Sequence, residues 1–400
     1  MQENLPLSRR EFVVATTVGA IGLLRATEVF AGPAARSDEP LLYVGTYTEA
    51  ARREGIYLLR MDSRTGALRR VAAMDAGANP SFLAIHPTGR TLYAVNEVTE
   101  ISGKVTGSVR SFGIDADSGG LTLLNEQMSE GAAPCYVTTD RTGRVALVAN
   151  YVSGTLALLP VGDNGALTPA SQVVQHVGTG KVAARQEHAH AHCIIPHPSN
   201  RFMLAADLGV DRVLVYRFDD ERRELVHVEA SDAVTPPGTG PRHLAFHPTL
   251  PLVFVAGELN STVTALRCDP ATAALSAVQS LSTLPAAWTG ENFPADVHVA
   301  RDGRTLYVSN RGHNSVAVFS IAPATGVLAL QQVVSTGGDW PRNFSLDPTG
   351  RWLLVANQRS GSVVVFERSS ESGRLTPTSQ RIELPSPVCL RFQAQAGTTT

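Results

Sequence analysis

The sequence predicts an all-β fold, a seven-bladed β-propeller of four-stranded antiparallel blades whose N-terminal blade is closed by the C-terminal strand. Three features of the 400-residue chain predict it. One strand–turn–strand unit recurs along its length, the first segment of the domain lacks the strand that should precede it, and the last segment supplies that strand.

The recurring unit is an apolar strand, a turn of the His-Pro-x-Gly-Arg type, and a second apolar strand. Complete copies of the turn and second strand are HPTGRTLYAVNE from His86, DRTGRVALVANY from Asp140, HPSNRFMLAADL from His197, HPTLPLVFVAGE from His247, ARDGRTLYVSNR from Ala300 and DPTGRWLLVANQ from Asp347. Their spacing of about 47 to 57 residues suits a blade of four strands. A third strand follows in each, as in SVRSFGI from Ser108 or SVAVFSI from Ser315, and turns at Gly120, Gly165, Gly326 and Gly373 open a fourth. Alternation with period two, β-branched enrichment and short turns argue for antiparallel meanders, with no helix in the propeller.

With the strands of a blade lettered A to D outward from the axis, the domain enters at LLYVGTY from Leu41, which aligns with strand B. Pro387-Val388-Cys389-Leu390-Arg391-Phe392 aligns with the strand-A start Pro80-Ser81-Phe82-Leu83-Ala84-Ile85. The C-terminal strand is therefore expected to complete the N-terminal blade, removing two open edges.

Lys and Arg total 34 against 36 Asp and Glu, a formal net charge of -2, so no basic surplus points to nucleic acid or an acidic membrane surface. Ahead of the repeats, Ser8-Arg9-Arg10-Glu11-Phe12-Val13 precedes an apolar stretch ending at Leu24, and Val29-Phe30-Ala31 offers small residues for a signal peptidase. Residues 1–31 thus read as a twin-arginine signal peptide, with 32–40 a linker, 41–394 the propeller and 395–400 a disordered tail. The expected product is a periplasmic or secreted monomer that meets the twin-arginine translocase during export and keeps no stable membrane anchor after cleavage. Cys135, Cys193, Cys268 and Cys389 show no CxxC spacing, which speaks against a zinc knuckle. Buried thiols are the simple reading, and an oxidised pair stays open.

Strand A begins with proline in six blades, at Pro80, Pro134, Pro241, Pro294, Pro341 and Pro387, and with Ala191 in the remaining one. Because A and B form a hairpin, the start of A and the end of B share one rim of the ring. That rim gathers His192, Arg242, Arg342, Glu258 and Arg311, with His190, His243, Asp296, His298 and Asn310 as neighbours. Three charges facing a channel, Arg242, Glu258 and Arg311, need a ligand or one another. Turn capping accounts for Asn310 and its equivalents Asn150, Asp207 and Asn357 as well as ligand contact does. His86, His197 and His247 fall on the opposite face in a scaffold role. His188, His190 and His192 alternate, so on a strand all three imidazoles would face one side, a metal-site geometry that no other ligand spacing supports. Of the rim series, only Tyr47 and Tyr151 are aromatic, which weighs against a protein-binding surface.

The stretches Gly240-Pro241-Arg242-His243, Glu258-Leu259-Asn260-Ser261, Ala295-Asp296-Val297-His298 and Trp340-Pro341-Arg342 resemble the seven-bladed lactonase family, which holds propeller-type 6-phosphogluconolactonases and carboxymuconate lactonizing enzymes. The resemblance spans Leu41 to Phe392. It implies chemistry on a lactone ring with neither metal nor organic cofactor, and carries over His192 or His190, Arg242, Glu258 and Arg311 as the catalytic set, with Arg342 competing for the last place. His190, His243, Asp296, His298, Arg342 and Asn310 are the expected substrate-binding residues. Lactone hydrolysis needs a base for water and positive charge at the carbonyl oxygen; His192 or Glu258 could be the base, and Arg242 and Arg311 the charge. The expected function is a metal-free lactone hydrolase acting on a sugar or carboxylate-bearing lactone. A non-catalytic exported propeller binding a small anion or a protein and a lactonizing cycloisomerase are the alternatives.

Overall fold

The computed structural model describes residues 39–48 and 54–393. The expected signal peptide, most of the linker and the C-terminal tail lie outside these residues, and no helix among the described residues is long and apolar enough to cross a membrane.

Seven antiparallel sheets form the propeller. Blade 1 takes strand A from Pro387–Phe392 and strands B to D from Leu41–Thr46, Glu54–Met61 and Leu68–Asp75. Blades 2 to 7 follow in chain order with strand B at Thr91–Asn96, Val145–Asn150, Phe202–Asp207, Leu252–Gly257, Thr305–Arg311 and Trp352–Asn357. These B strands are buried along their whole length, which is why they read as unbroken apolar runs. Strand D meets water on one side and alternates, as in Leu375–Glu383. Blade 4 has a fifth, two-residue strand, Ala233–Val234, paired to strand C after a 3₁₀ turn at Glu229–Ser231. In blade 3 strand D begins only at Gln172, after Pro169, which has no N–H to give to a ladder.

The repeated residues clasp neighbouring blades. Strand-B tyrosines donate to the glycine carbonyl of the next blade's C-to-D turn: Tyr43 to Gly119 at 2.7 Å, Tyr93 to Gly165 at 3.1 Å and Tyr307 to Gly373 at 2.7 Å. On that same face, far from the mouth, His86 and His247 bond through Nε2 to the carbonyls of Gly143 and Gly303, each at 2.9 Å, as scaffold histidines. Trp352 of blade 7 donates to Ser63 of blade 1 at 2.8 Å, across the junction where the ring closes. Leu42, Val44 and Leu390 of blade 1 pack there with Leu354, Ala356 and Val363 of blade 7 in one buried cluster. Strand-B Gly45 is required where blade 1 meets blade 2, since a Cβ on it would lie 2.4 Å from the Pro80 carbonyl oxygen.

Strand A does not run straight into its ladder. In blades 3 to 7, and in the shared blade 1, the pairing of A with B slips next to the residue that opens the strand. The residues passed over are Cys135, His192, Arg242 with His243, Ala295 with Asp296, Arg342 and Val388. A bulge leaves such residues off the ladder and re-aims their side chains. The simple alternation expected of His188, His190 and His192 fails for this reason: the paired strand starts at Ala191, and His192 sits in the bulge. All four cysteines are free and buried, so the open alternative of an oxidised pair is not realised.

Removing residues 385–400 deletes strand A of blade 1 with its buried Cys389 and Leu390. The expected result is insoluble protein or a melting temperature lower by at least ~5 °C, read in a thermal scan beside the full chain.

Candidate active site

At the mouth, the bulge residues of strand A meet the residues just past or at the end of strand B. Glu258 follows strand B of blade 5 and is buried among three arginines. Arg185 donates to its Oε1 at 2.6 Å, while Arg242 Nε and Arg311 Nη2 lie 2.8 and 2.7 Å from its Oε2. The last two contacts lack hydrogen-bond alignment, so charge rather than a directed N–H holds them. Arg242 also donates to the Ala295 carbonyl, and Arg311 to Phe293 at 3.1 Å. A fourth arginine, Arg342, donates to the Tyr47 hydroxyl at 2.9 Å and comes 4.0 Å from Glu97. Glu97 in turn accepts from Tyr47 at 2.8 Å and Ser81 at 2.5 Å.

Burial alone would raise the Glu258 carboxyl, but Arg311, Arg242 and Arg185 overcome it and hold the group at about 2. Glu258 is thus a fixed anion whose lone pairs are already engaged. It is poorly suited to be the base and well suited to seat Arg242 and Arg311. Burial lowers both of those guanidinium groups, helped by the like charge of Arg342, although a guanidinium stays protonated at neutral pH.

Behind the arginines lies a histidine cluster. Neutral His243 donates from Nδ1 to Asp296 Oδ1 at 2.8 Å, which leaves its Nε2 facing Arg242 Nη1 at 3.4 Å. Asp296 also receives His298 at 3.0 Å, Asn343 at 2.5 Å and its neighbour's amide, Val297 N–H, at 3.1 Å. Burial, with Arg242 beside it, pulls His243 down to about 4 against the pull of Asp296. His192 is packed between Tyr151 and His243, with ring centroids 5.5 and 5.3 Å away. Burial and then the charge of Arg242, with Arg342 and Arg311 farther down in weight, push it well below its ordinary value. Its Nδ1 is buried without a hydrogen-bond partner.

A cavity of about 470 Å³ opens at the arginines and Glu258, lined by Tyr47, Arg185, Glu258, Phe293, Arg311, Trp340, Arg342, Gln358 and Arg359, with Arg242, His192 and His243 buried outside that lining. A larger groove of about 740 Å³ runs along the flank by His176, Tyr216 and His227, but it has no comparable convergence of charge. The structure therefore brings together Arg242, Glu258, Arg311 and Arg342, with His192, His243 and Asp296 beneath them. His190 stands to one side, stacked on Tyr151 at 4.5 Å. His298 bears on the site only through Asp296. Asn310 is fully buried, donating to Thr283 O at 2.9 Å and Ser315 at 3.2 Å, so it braces the turn. Arg185, Phe293, Trp340 and Arg359 are lining residues that rim alignment missed. Trp340 stands one residue before a strand-A proline and Phe293 opens its strand, so a search widened by one position finds both. Arg185 comes from the long loop 177–187 outside the repeat, and no periodicity places it. Its sequence signal is the length of that loop, which with Lys181 and Arg185 reads either as a cover of the mouth or as a disordered surface loop. Among the described residues, the group able to hold a metal is Glu187, His188 and His190, not the three alternating histidines.

A family model described as lactonase, 7-bladed beta-propeller, matches residues 41–392. The chain belongs to this seven-bladed lactonase family. It is 37% identical over 353 residues to a 6-phosphogluconolactonase of Bacillus subtilis, covering 88% of this chain and 98% of the relative. A 6-phosphogluconolactonase of Formosa agariphila is 31% identical over 293 residues, 72% of this chain and 81% of the relative. Among solved structures, the periplasmic gluconolactonase of Pseudomonas aeruginosa superposes with a TM-score of 0.82 at 36% identity, covering 89% of this chain and 99% of that one.

For a lactonase, the mouth offers buried positive charge, a neutral imidazole and a carboxylate that carries no free basicity. The two neutral histidines also bear on stability. Between their ordinary value of 6.5 and about 4, the unfolded chain binds protons that His243 refuses in the fold, and His192 behaves in the same sense. Stability from these groups is therefore full at neutral pH and falls as pH drops through that window, by on the order of 3 kcal/mol for His243. Denaturant melts should show the midpoint falling between about pH 6.5 and 4.5, with a shallower fall in His192→Gln.

Proposed function

We propose that this protein hydrolyses lactones bearing an anionic group, with His192 as the base and Arg242 and Arg311 as the oxyanion site. The observation that carries the reading is the set of five arginines at one mouth, Arg185, Arg242, Arg311, Arg342 and Arg359, the first three of them sharing the single carboxylate Glu258. A cavity with that surplus of positive charge favours a carboxylate or phosphate on the ligand, and fixed guanidinium groups need little reorganisation as charge develops.

Water bound at His192 loses a proton to the imidazole as its oxygen attacks the lactone carbonyl carbon. The carbonyl oxygen becomes anionic beside Arg242 and Arg311. Collapse of the tetrahedral intermediate breaks the ring C–O bond, and the imidazolium returns its proton to the leaving alkoxide, giving a hydroxy acid. Arg342 and Arg185 are placed to hold the substrate's anionic group, and Phe293 and Trp340 to flank its ring. Asp296 and His243 fix the floor on which Arg242 rests. Each of these steps is assigned to a side chain, so turnover at saturating substrate should persist in chelator.

Arg242→Ala should lower kcat/KM by about 10²–10³-fold, and His192→Gln should act on kcat, in pH-stat assays with folding checked by circular dichroism. Near-normal turnover by either variant sinks the site. Glu258→Ala should instead cost stability as well as activity, since it leaves buried arginines without their counter-charge. Comparing gluconolactone with its 6-phosphate tests how far the anionic group matters. A carboxylate-bearing lactone met outside the cytoplasm is a better candidate than a sugar-phosphate lactone, because Arg9 and Arg10 precede an export-type apolar stretch. In a bacterial host with the twin-arginine pathway, replacing both with Lys should retain the protein in the cytoplasmic fraction; unchanged export would overturn that reading.

A further inference from the structure

We propose that Glu187, His188 and His190 form a zinc-type divalent metal site at the lip of the mouth, separate from the reacting groups. One donor atom from each lies within 4.8 Å of the other two. Glu187 Oε1 is 3.2 Å from His190 Nε2 and 3.6 Å from His188 Nε2. An ion bound tetrahedrally at zinc–nitrogen and zinc–oxygen lengths spaces its ligand atoms about 3.3–3.5 Å apart, so these two edges are nearly those of a formed site.

The imidazoles are also oriented as a metal needs. His188 Nδ1 lies 2.8 Å from the Ala189 carbonyl and His190 Nδ1 lies 3.0 Å from the Tyr151 carbonyl. A carbonyl only accepts, so each Nδ1 carries a hydrogen and each ring turns its Nε2 toward Glu187, where a bound ion would take the place of the hydrogen that His190 Nε2 shares with the carboxylate at 3.2 Å. Metal-bound histidines are oriented in this way by backbone acceptors.

The backbone beneath the cluster is clamped before any ligand arrives. A Cβ on Gly209 would lie 1.9 Å from the His188 carbonyl oxygen, and one on Gly154 would lie 2.3 Å from that of Ala189, so both glycines admit the close passage of this segment. Asp207 Oδ1 accepts the amides of His190 and Gly209, each at 2.8 Å, and locks the two strands of chain together. A plain Glu–His ion pair requires none of this preorganisation. Two imidazoles and one carboxylate select zinc, cobalt or nickel over magnesium or calcium, which favour sets of oxygen ligands. Three protein ligands leave one position open to water.

The site's place gives it a role. Glu187 ends the loop that carries Arg185 to Glu258 and to the Tyr151 hydroxyl, and Tyr151 is the ring on which His190 stacks. A bound ion pins that loop end to the scaffold and holds Arg185 over the cavity.

The test is isothermal titration of the purified full chain, stripped with chelator and dialysed, with zinc chloride and separately with magnesium chloride. One zinc per chain is expected in the micromolar range or tighter, with no magnesium response, and Glu187→Gln and His188→Ala should each weaken zinc at least ~10-fold. Both substitutions fall on exposed side chains and should leave the far-ultraviolet circular dichroism unchanged. As a second readout, zinc should slow tryptic cutting after Lys181 and Arg185 in the parent chain but not in His188→Ala. Absence of zinc binding, or one-to-one binding that survives the double variant, overturns the site. Neither readout uses a lactone, so failure here and failure of the lactonase reading are told apart.

Discussion

The structure depends on one antiparallel pairing, that of Leu42–Thr46 with Pro387–Phe392. A propeller is an array whose blades contact only their neighbours, so an open ring would leave two apolar blade faces and two strand edges in water. Joining the ends of the chain in one blade makes the last contact intramolecular. It also brings Tyr47, from the start of the domain, against Arg342 from near its end. One wall of the mouth therefore exists only because the ring is closed.

Given a closed ring, the strand-A bulges decide what faces the mouth. A regular strand would send alternate residues to opposite sides, and Arg242 and His243, adjacent in sequence, could not both serve one centre. The slip between Pro241 and Leu244 frees both from the ladder, and the equivalent slip beside Pro294 frees Asp296 to meet His243. The same local irregularity, repeated around the ring, thus converts a uniform scaffold into a variable site. Its energetic weakness is the burial of like charges, which is tolerable because Glu258 is shared and because Arg342 has Tyr47 and Glu97.

Much of this was legible in the chain. Blade number, strand order and closure follow from a repeat whose residues have local jobs, such as the strand-B tyrosine and the turn glycine it reaches. Arg242, Glu258, Arg311 and Arg342 were legible because they are the varied positions in repeated units. The orientation of His190 against His192 was not, since a bulge of one residue changes it and leaves no mark on the alternation. Nor was the state of Glu258: its identity suggests a base, and only the arginines around it make it a permanent anion.

The sequence by itself determined the ring, because each repeat carries its own alternation and turn chemistry and needs only its neighbours to bury its faces. Tertiary structure alone decided the chemistry of the mouth. Arg185 arrives from a loop outside any repeat, and the Asp296–His243 pair joins strands of two blades. The basicity of each group is set by charges tens or hundreds of residues away in the chain, and electrostatics in a buried site follows distance in space rather than order in sequence.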